Sequence, residues 1–267
     1  MLENVVIHVP HASLYITEEY IPDYDLEILG HEMLVMTDWY CNELFACEAE
    51  MVNLRVSRLV CDVERFRDDK EESMSRMGMG LYYTHSSEMK PFRKHIAEKR
   101  EEVARTFYDP HHVRLEAVVE KRLSDYGRCL IVDGHSFYPE PLPYEPDQQP
   151  NRPDICIGTD DFHTSPNMVY KMVNYLQDHN LSVKINSPFA GALVPMKYYR
   201  QDSRVHSVMI EINRGLYLAR GCEKSECFNE VQSIIKGMIE IMGGGSGVKE
   251  IACGIVKKKG PLVHSGP

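Results

Sequence analysis

Three strand-like runs in this chain end in residues that can hold a cation or move a proton: "VIHVPHAS" (6–13), "VDGHS" (132–136) and "VMIEINR" (208–214). In open α/β sheets, ligands bind in the crevice beyond the carboxyl ends of the strands. A histidine after one strand, an Asp-x-His after a second and a Glu-x-Asn-Arg ending a third can converge there. A catalytic zinc needs this set: two neutral imidazoles, a carboxylate and a position open to water. His11 and His135 are therefore the candidate nitrogen ligands. Taken singly, each is more simply a histidine hydrogen-bonded at a strand end; the matching contexts favour a shared site.

Asp133 lies two residues before His135, and in extended backbone the two share a face. Its carboxylate can accept the imidazole N–H and fix the tautomer, or it can cap a nearby helix. Glu211 stands in an apolar strand, where alternation puts Glu211 and Asn213 on one face and Ile210 and Ile212 on the other. A carboxylate there is costly unless paired or functional. It suits a general base beside a metal-bound water, or a buried ion pair with Arg214 or another arginine.

The elements that must position these groups alternate between strand-length apolar runs and longer segments of helical period, which predicts an α/β layered fold. Strands are expected at 4–9, 58–63 ("RLVCDV"), 128–136, 154–158, 182–186 and 206–214. Helices are expected over 37–50 with Thr37 as N-cap, within the densely charged 88–108, over 111–127 closed by Gly127, over 165–179 with Pro166 in its first turn, and over 224–242. "PEPLPYEPDQQPNRP" (139–153) reads as a proline-rich loop. "GMGLYYTH" (78–85) reads as a surface loop in preference to a lid, and His112 as a helix-start histidine in preference to a substrate contact. The architecture expected is one catalytic domain over residues 1–242, with a central mixed, mostly parallel sheet flanked by helices, followed by a tail, 243–267, to which no role is assigned.

The formal charge of −10 argues against nucleic acid or an anionic membrane as partner. A local arginine cluster still permits a small anionic ligand. The eight cysteines are scattered, with no Cys-x-x-Cys pair, which fits reduced thiols better than a disulfide framework. With no recognisable signal peptide and no run of about 20 apolar residues, a cytoplasmic protein is expected.

"PHAS", the aspartate of "TDWYCNELF", "RLVCDVERF", "DGHSF" and "VMIEINRGLY", in this order, resemble the N-formylglutamate amidohydrolase family over roughly residues 5 to 220. That family is related in fold to zinc carboxypeptidases and deacylases. The resemblance implies a zinc hydrolase, with one Zn²⁺ or another divalent metal, that cleaves the amide of a small N-acylated acidic amino acid such as N-formylglutamate. It implies His11 and His135 as ligands and Glu211 as the catalytic base. Zinc carboxypeptidases take a carboxylate ligand from a glutamate three residues after the first histidine; here that position is Leu14, which cannot ligate, and the resemblance to the formylglutamate family implies its matching residue, Asp38, as third ligand, the alternative being a helix-starting aspartate. The family's Asp-x-Asn-Arg reads Asp62-Val63-Glu64-Arg65 here, and Glu64 adds negative charge near any bound carboxylate. Arg65, Arg214 and Arg58, with Asn213, are the candidate substrate contacts, since a guanidinium fork suits a carboxylate. The alternatives are a peptidase or other N-acyl-amino-acid deacylase on the same site, and a non-catalytic protein that keeps the scaffold to bind a metal or ligand.

Overall fold

The structure, a computed structural model, describes residues 2–244. The tail assigned no role at 243–267 lies almost wholly outside the described residues, as does Cys253; the other seven cysteines are free thiols. Six strands, β1 (Val5–Val9), β2 (Glu50–Asn53), β3 (Cys129–Phe137), β4 (Ile155–Gly158), β5 (Val183–Ile185) and β6 (Val205–Asn213), form one sheet in the order β2-β1-β3-β6-β4-β5. Neighbours run parallel except β4 against β6. The mixed, mostly parallel sheet is thus as expected, and β1, β3 and β6 present their carboxyl ends on one rim.

The helices are α1 (Leu26–Met36), α2 (Cys41–Leu44), α3 (Ala97–Val103), α4 (Asp109–Tyr126), α5 (Pro166–Asp178) and α6 (Phe228–Met242). Their ends follow from local chemistry. The Asp25 carboxylate accepts from the N–H groups of Glu27 and Ile28 and starts α1. Gly127 ends α4 in the left-handed region at φ 71°, and Pro166 opens α5. None of the helices among the described residues is long and apolar enough to cross a membrane.

Strand alternation sorts the core onto two faces. Val5, Ile7, Val132, Val208, Ile210 and Ile212 pack against α5 and α6 through Met172, Leu176, Ile234 and Ile235. Val6, Ile131 and Val205 pack on the other face against Leu115 and Val119 of α4. A third apolar cluster gathers α1 and the long connection from β2 to α3, including Leu59, Val60, Cys61, Met79, Leu81 and Tyr83.

Two expected elements are replaced. "RLVCDV" forms no strand: its apolar side chains are buried in that third cluster, and its N–H groups are satisfied by turns, Val60 by the Ser57 carbonyl and Asp62 by that of Leu81. The helix expected over 37–50 shrinks to α2, and Thr37 instead closes α1. The second parallel partner of β1 is β2, whose "EMVN" is short and mostly solvent-facing and so carries little apolar signal. Residues 78–85 are packed inside the third cluster rather than on the surface, with Met79, Leu81 and Tyr83 fully buried.

Candidate metal centre

β1 ends at Val9 and Pro10 turns the chain, so His11 enters the rim directly. The Asp38 N–H donates to the His11 carbonyl at 3.0 Å, tying the segment after α1 to the segment after β1. His135 lies two residues from the end of β3, and in the β3–β6 register it sits beside Glu211. The imidazoles of His11 and His135 stand 5.1 Å apart between centroids, close enough to share one ion. The other site residues come from the loop at 57–65, where turns replace the expected strand.

Asp62 is the hub of that loop. Its Oδ1 accepts from His11 Nε2 at 3.0 Å and from the Glu64 N–H at 3.1 Å, and its Oδ2 accepts from Arg58 and Tyr83, both at 2.8 Å. This anchoring swings Glu64 over the rim. Glu64 Oε1 lies 3.1 Å from His135 Nε2 and its Oε2 lies 3.6 Å from His11 Nδ1. Donor atoms of His11, Glu64 and His135 all lie within 4.8 Å of one another. Asp38 stands next to this set: its Oδ2 is 3.1 Å from His135 Nδ1 and 3.6 Å from His11 Nδ1, while its Oδ1 accepts from Arg214 at 3.0 Å.

The remaining candidates divide by what already engages them. Asp133 lies 3.1 Å from His135 Nε2 and accepts from His8 Nδ1 at 2.7 Å. Arg214 is buried, donates to Asp38, Ser136 and the Val35 carbonyl, and lines the cavity above the rim. Asn213 does not line it; its amide caps the Gly215 N–H and donates to the Pro153 carbonyl. Arg58 and Arg65 both line the cavity beside Tyr83, and Arg58 Nε makes no hydrogen bond among the described residues. The cavity, of about 570 Å³, is further walled by Phe137, Tyr138, Phe189 and, from the proline-rich loop, Leu142 and Tyr144.

Packed this closely, the charged groups set one another's protonation. Among the described residues five carboxylates, Asp38, Asp62, Glu64, Asp133 and Glu211, face three guanidiniums, those of Arg58, Arg65 and Arg214. Burial alone would raise the Asp38 pKa, but the adjoining His11 and His135 imidazoles and the Arg214 charge hold it well below the usual range. Burial would lower His135, yet Glu64 and Asp133 draw it well above an ordinary histidine. Glu211 goes the other way: burial, with Asp38 and Glu64 nearby, pushes it up to about 8. Its Oε2 and the Nδ1 of His11 are buried with no hydrogen-bond partner among the described residues. Unpaired buried polar atoms of this kind are rare and costly.

A divalent cation fits these observations. The donor set is imidazole and carboxylate, and the unpartnered His11 nitrogen faces Glu64. Nitrogen–oxygen sets of this type accept zinc and several other divalent metals.

His8, His111 and the placement of Glu64 over the rim went unseen in the sequence. His8 carried a usable signal, an ionisable side chain inside the apolar strand "VVIHV", of the same kind that exposed Glu211. Glu64 carried none, because a residue on a turn has no periodicity to reveal its direction.

The model of the N-formylglutamate amidohydrolase family matches residues 3–218. The chain belongs to this family. It is therefore an amidohydrolase by family, a class of enzyme acting on carbon–nitrogen bonds. Two solved structures share the fold. The N-formylglutamate amidohydrolase from Ralstonia eutropha JMP134 is 20% identical with a TM-score of 0.75, over 90% of this chain and 92% of that one. The gene product Atu2144 from Agrobacterium tumefaciens is 21% identical with a TM-score of 0.64, over 90% and 89%. A search of the curated proteins finds no match. The segments 10–13, 58–66, 133–137 and 208–217, with Asp38, on which the resemblance rested, all fall within the matched span and, in the structure, around one cavity.

Proposed function

We propose that this chain hydrolyses the amide of a small N-acylated amino acid with a free carboxylate, N-formylglutamate being the reference substrate, with a zinc ion held by His11, Glu64 and His135. Glu64 takes the ligand position for which Asp38 was nominated from sequence, and Asp38 becomes the acceptor that orients His135 through Nδ1. The observation that carries this reading is the buried, unpartnered Nδ1 of His11 facing Glu64 and His135 at ligand spacing. When bound, the ion would supply Lewis-acid polarisation of the acyl oxygen and acidify a water molecule.

The chain's own groups supply the rest. Glu211 accepts a proton from the attacking water at its carboxylate and delivers it to the departing nitrogen. The C–N bond breaks, leaving a carboxylate from the acyl group and a free amine on the amino acid. Positive charge beside Glu211 favours its ionised form, which a base requires. Arg58 and Arg65, anchored through Asp62 and Tyr83, pair with the substrate carboxylates. Arg214 is spent on Asp38 and Ser136, so its part is to hold the ligand shell rather than to grip substrate.

The cavity volume and its aromatic wall favour a second reading of the substrate: an N-acyl amino acid with a larger apolar group than formylglutamate carries. Hydrolysis of a panel of N-formyl and N-acetyl amino acids separates the two. Glu211→Gln tests the mechanism itself. Zinc content should stay at the wild-type value while turnover falls at least about 100-fold, the usual contribution of a general base. Unchanged turnover in this variant, or full turnover after complete removal of metal, contradicts the proposal.

A further inference from the structure

Behind the rim, a second group of donors meets the first. His8, in β1, is fully buried, and its Nδ1 lies 2.7 Å from Asp133 Oδ1 and 3.9 Å from Glu64 Oε1. The register of β1 on β3 sets His8 directly beside Asp133. Donor atoms of His8, Glu64 and Asp133 all lie within 4.8 Å of one another. Glu64 is common to this group and to the one formed with His11 and His135: its Oε1 faces His8 and His135, and its Oε2 faces His11.

The three histidines are built alike. Each turns one nitrogen toward Glu64: Nδ1 of His11 at 3.6 Å, Nε2 of His135 at 3.1 Å and Nδ1 of His8 at 3.9 Å. Each gives its other nitrogen to a partner further out: His11 Nε2 to Asp62 at 3.0 Å, His135 Nδ1 to Asp38 at 3.1 Å and His8 Nε2 to His111 Nε2 at 2.9 Å. An imidazole that ligates a metal through one nitrogen characteristically donates the other N–H to an acceptor, which fixes its tautomer and direction. His8 Nε2 is engaged by His111 outside the group, so Nδ1 is the nitrogen that faces Asp133 and Glu64, and an entering cation would take the place of the proton shared between Nδ1 and Asp133.

We propose that the chain holds a second divalent cation between His8, Asp133 and Glu64, with the Glu64 carboxylate shared between the two ions. The proposal rests on the reading of His11, Glu64 and His135 as a metal centre and extends it to a two-metal centre, an arrangement in which the pair of ions acts as a clamp on a reacting oxygen. Asp133 then serves as a ligand of the inner ion.

Zinc bound per chain tests this directly. The full-length protein is stripped with chelator, equilibrated with zinc, freed of excess by gel filtration and analysed by plasma mass spectrometry. Two ions per chain are expected in the wild type and one in His8→Gln, with its fold checked by circular dichroism. One ion per chain in the wild type overturns the second site and leaves the first intact; none overturns both. Two ions retained in folded His8→Gln also overturn it. Manganese loading of the wild type needs no variant: a shared carboxylate predicts an exchange-coupled spin-resonance spectrum from the doubly loaded protein. A spectrum of isolated ions at that loading overturns the shared site.

Discussion

Two stretches of similar text, "RCLIVDGHS" (128–136) and "RLVCDVERF" (58–66), lead to opposite structures and to the same site. The first is β3, paired on both sides, with a fully buried apolar run that ends in Asp133 and His135. The second is a chain of turns, yet it supplies Asp62, Glu64, Arg58 and Arg65. In β3 the ladder fixes each side chain to a face, and packing against two helical layers holds the register. In the loop, apolar burial supplies only the anchor, and direction comes from buried charge: Asp62 on His11, Arg58 and Tyr83, with Arg93 donating to the carbonyls of Leu59 and Val60. The strand directs its side chains through its backbone, whereas this loop directs them through contacts between side chains.

The comparison breaks most sharply at Asp62. Asp62→Ala removes the counter-ion of Arg58 and Arg65 and the acceptor of His11, leaving two buried guanidiniums side by side. Loss of one partner from a buried ion pair costs about 3–5 kcal/mol, and denaturant unfolding should show a destabilisation of that size together with loss of metal. A loss below about 1 kcal/mol, the level of a surface pair, would show that the loop is held by its apolar side chains after all.

The next effect in size belongs to the strand. A Cβ on Gly134 of β3 would meet the Phe45 ring at 2.7 Å. Gly134→Ala is expected to cost about 1–3 kcal/mol through overpacking, read as a lower midpoint of thermal unfolding. Because Gly134 points away from the face of Asp133 and His135, metal stoichiometry should hold. Loss of metal here would mean that the strand does not isolate its two faces.

The smallest effect is a titration in the loop layer. Glu32 of α1 is fully buried and accepts from the N–H and hydroxyl of Ser87, and burial raises its pKa above 4.5. A carboxyl whose pKa rises on folding binds its proton more tightly in the native state. Its contribution is therefore complete below the unfolded value and is lost as pH rises through the folded one. Wild-type stability relative to Glu32→Gln should decline as pH rises above 4.5, read from denaturant unfolding across that range. A difference that is flat with pH would place Glu32 in a solvated setting.

This contrast also explains how far the amino-acid sequence alone could be read. The sheet, its two helical layers and the meeting of His11, His135 and Glu211 at one rim follow from strand-length apolar runs that end in polar residues. β2 was hidden because a short, mostly exposed edge strand needs few apolar residues. The role of Glu64 was hidden because a substitution in a turn shows only a change of charge, seen here as a threat to substrate binding. Its placement beside His11 and His135 depends on Asp62, and no periodic pattern links that hub to His11 across the intervening chain.

The central claim is that His11 and His135, joined by Glu64, grip one ion. Zinc K-edge absorption of the protein loaded with one equivalent of zinc measures that shell directly. Nitrogen and oxygen neighbours are expected at about 2.0–2.2 Å, with outer-shell scattering from two imidazoles that falls to one in His11→Ala. Sulfur in the shell from any of the free thiols, or imidazole scattering unchanged in that variant, would contradict it.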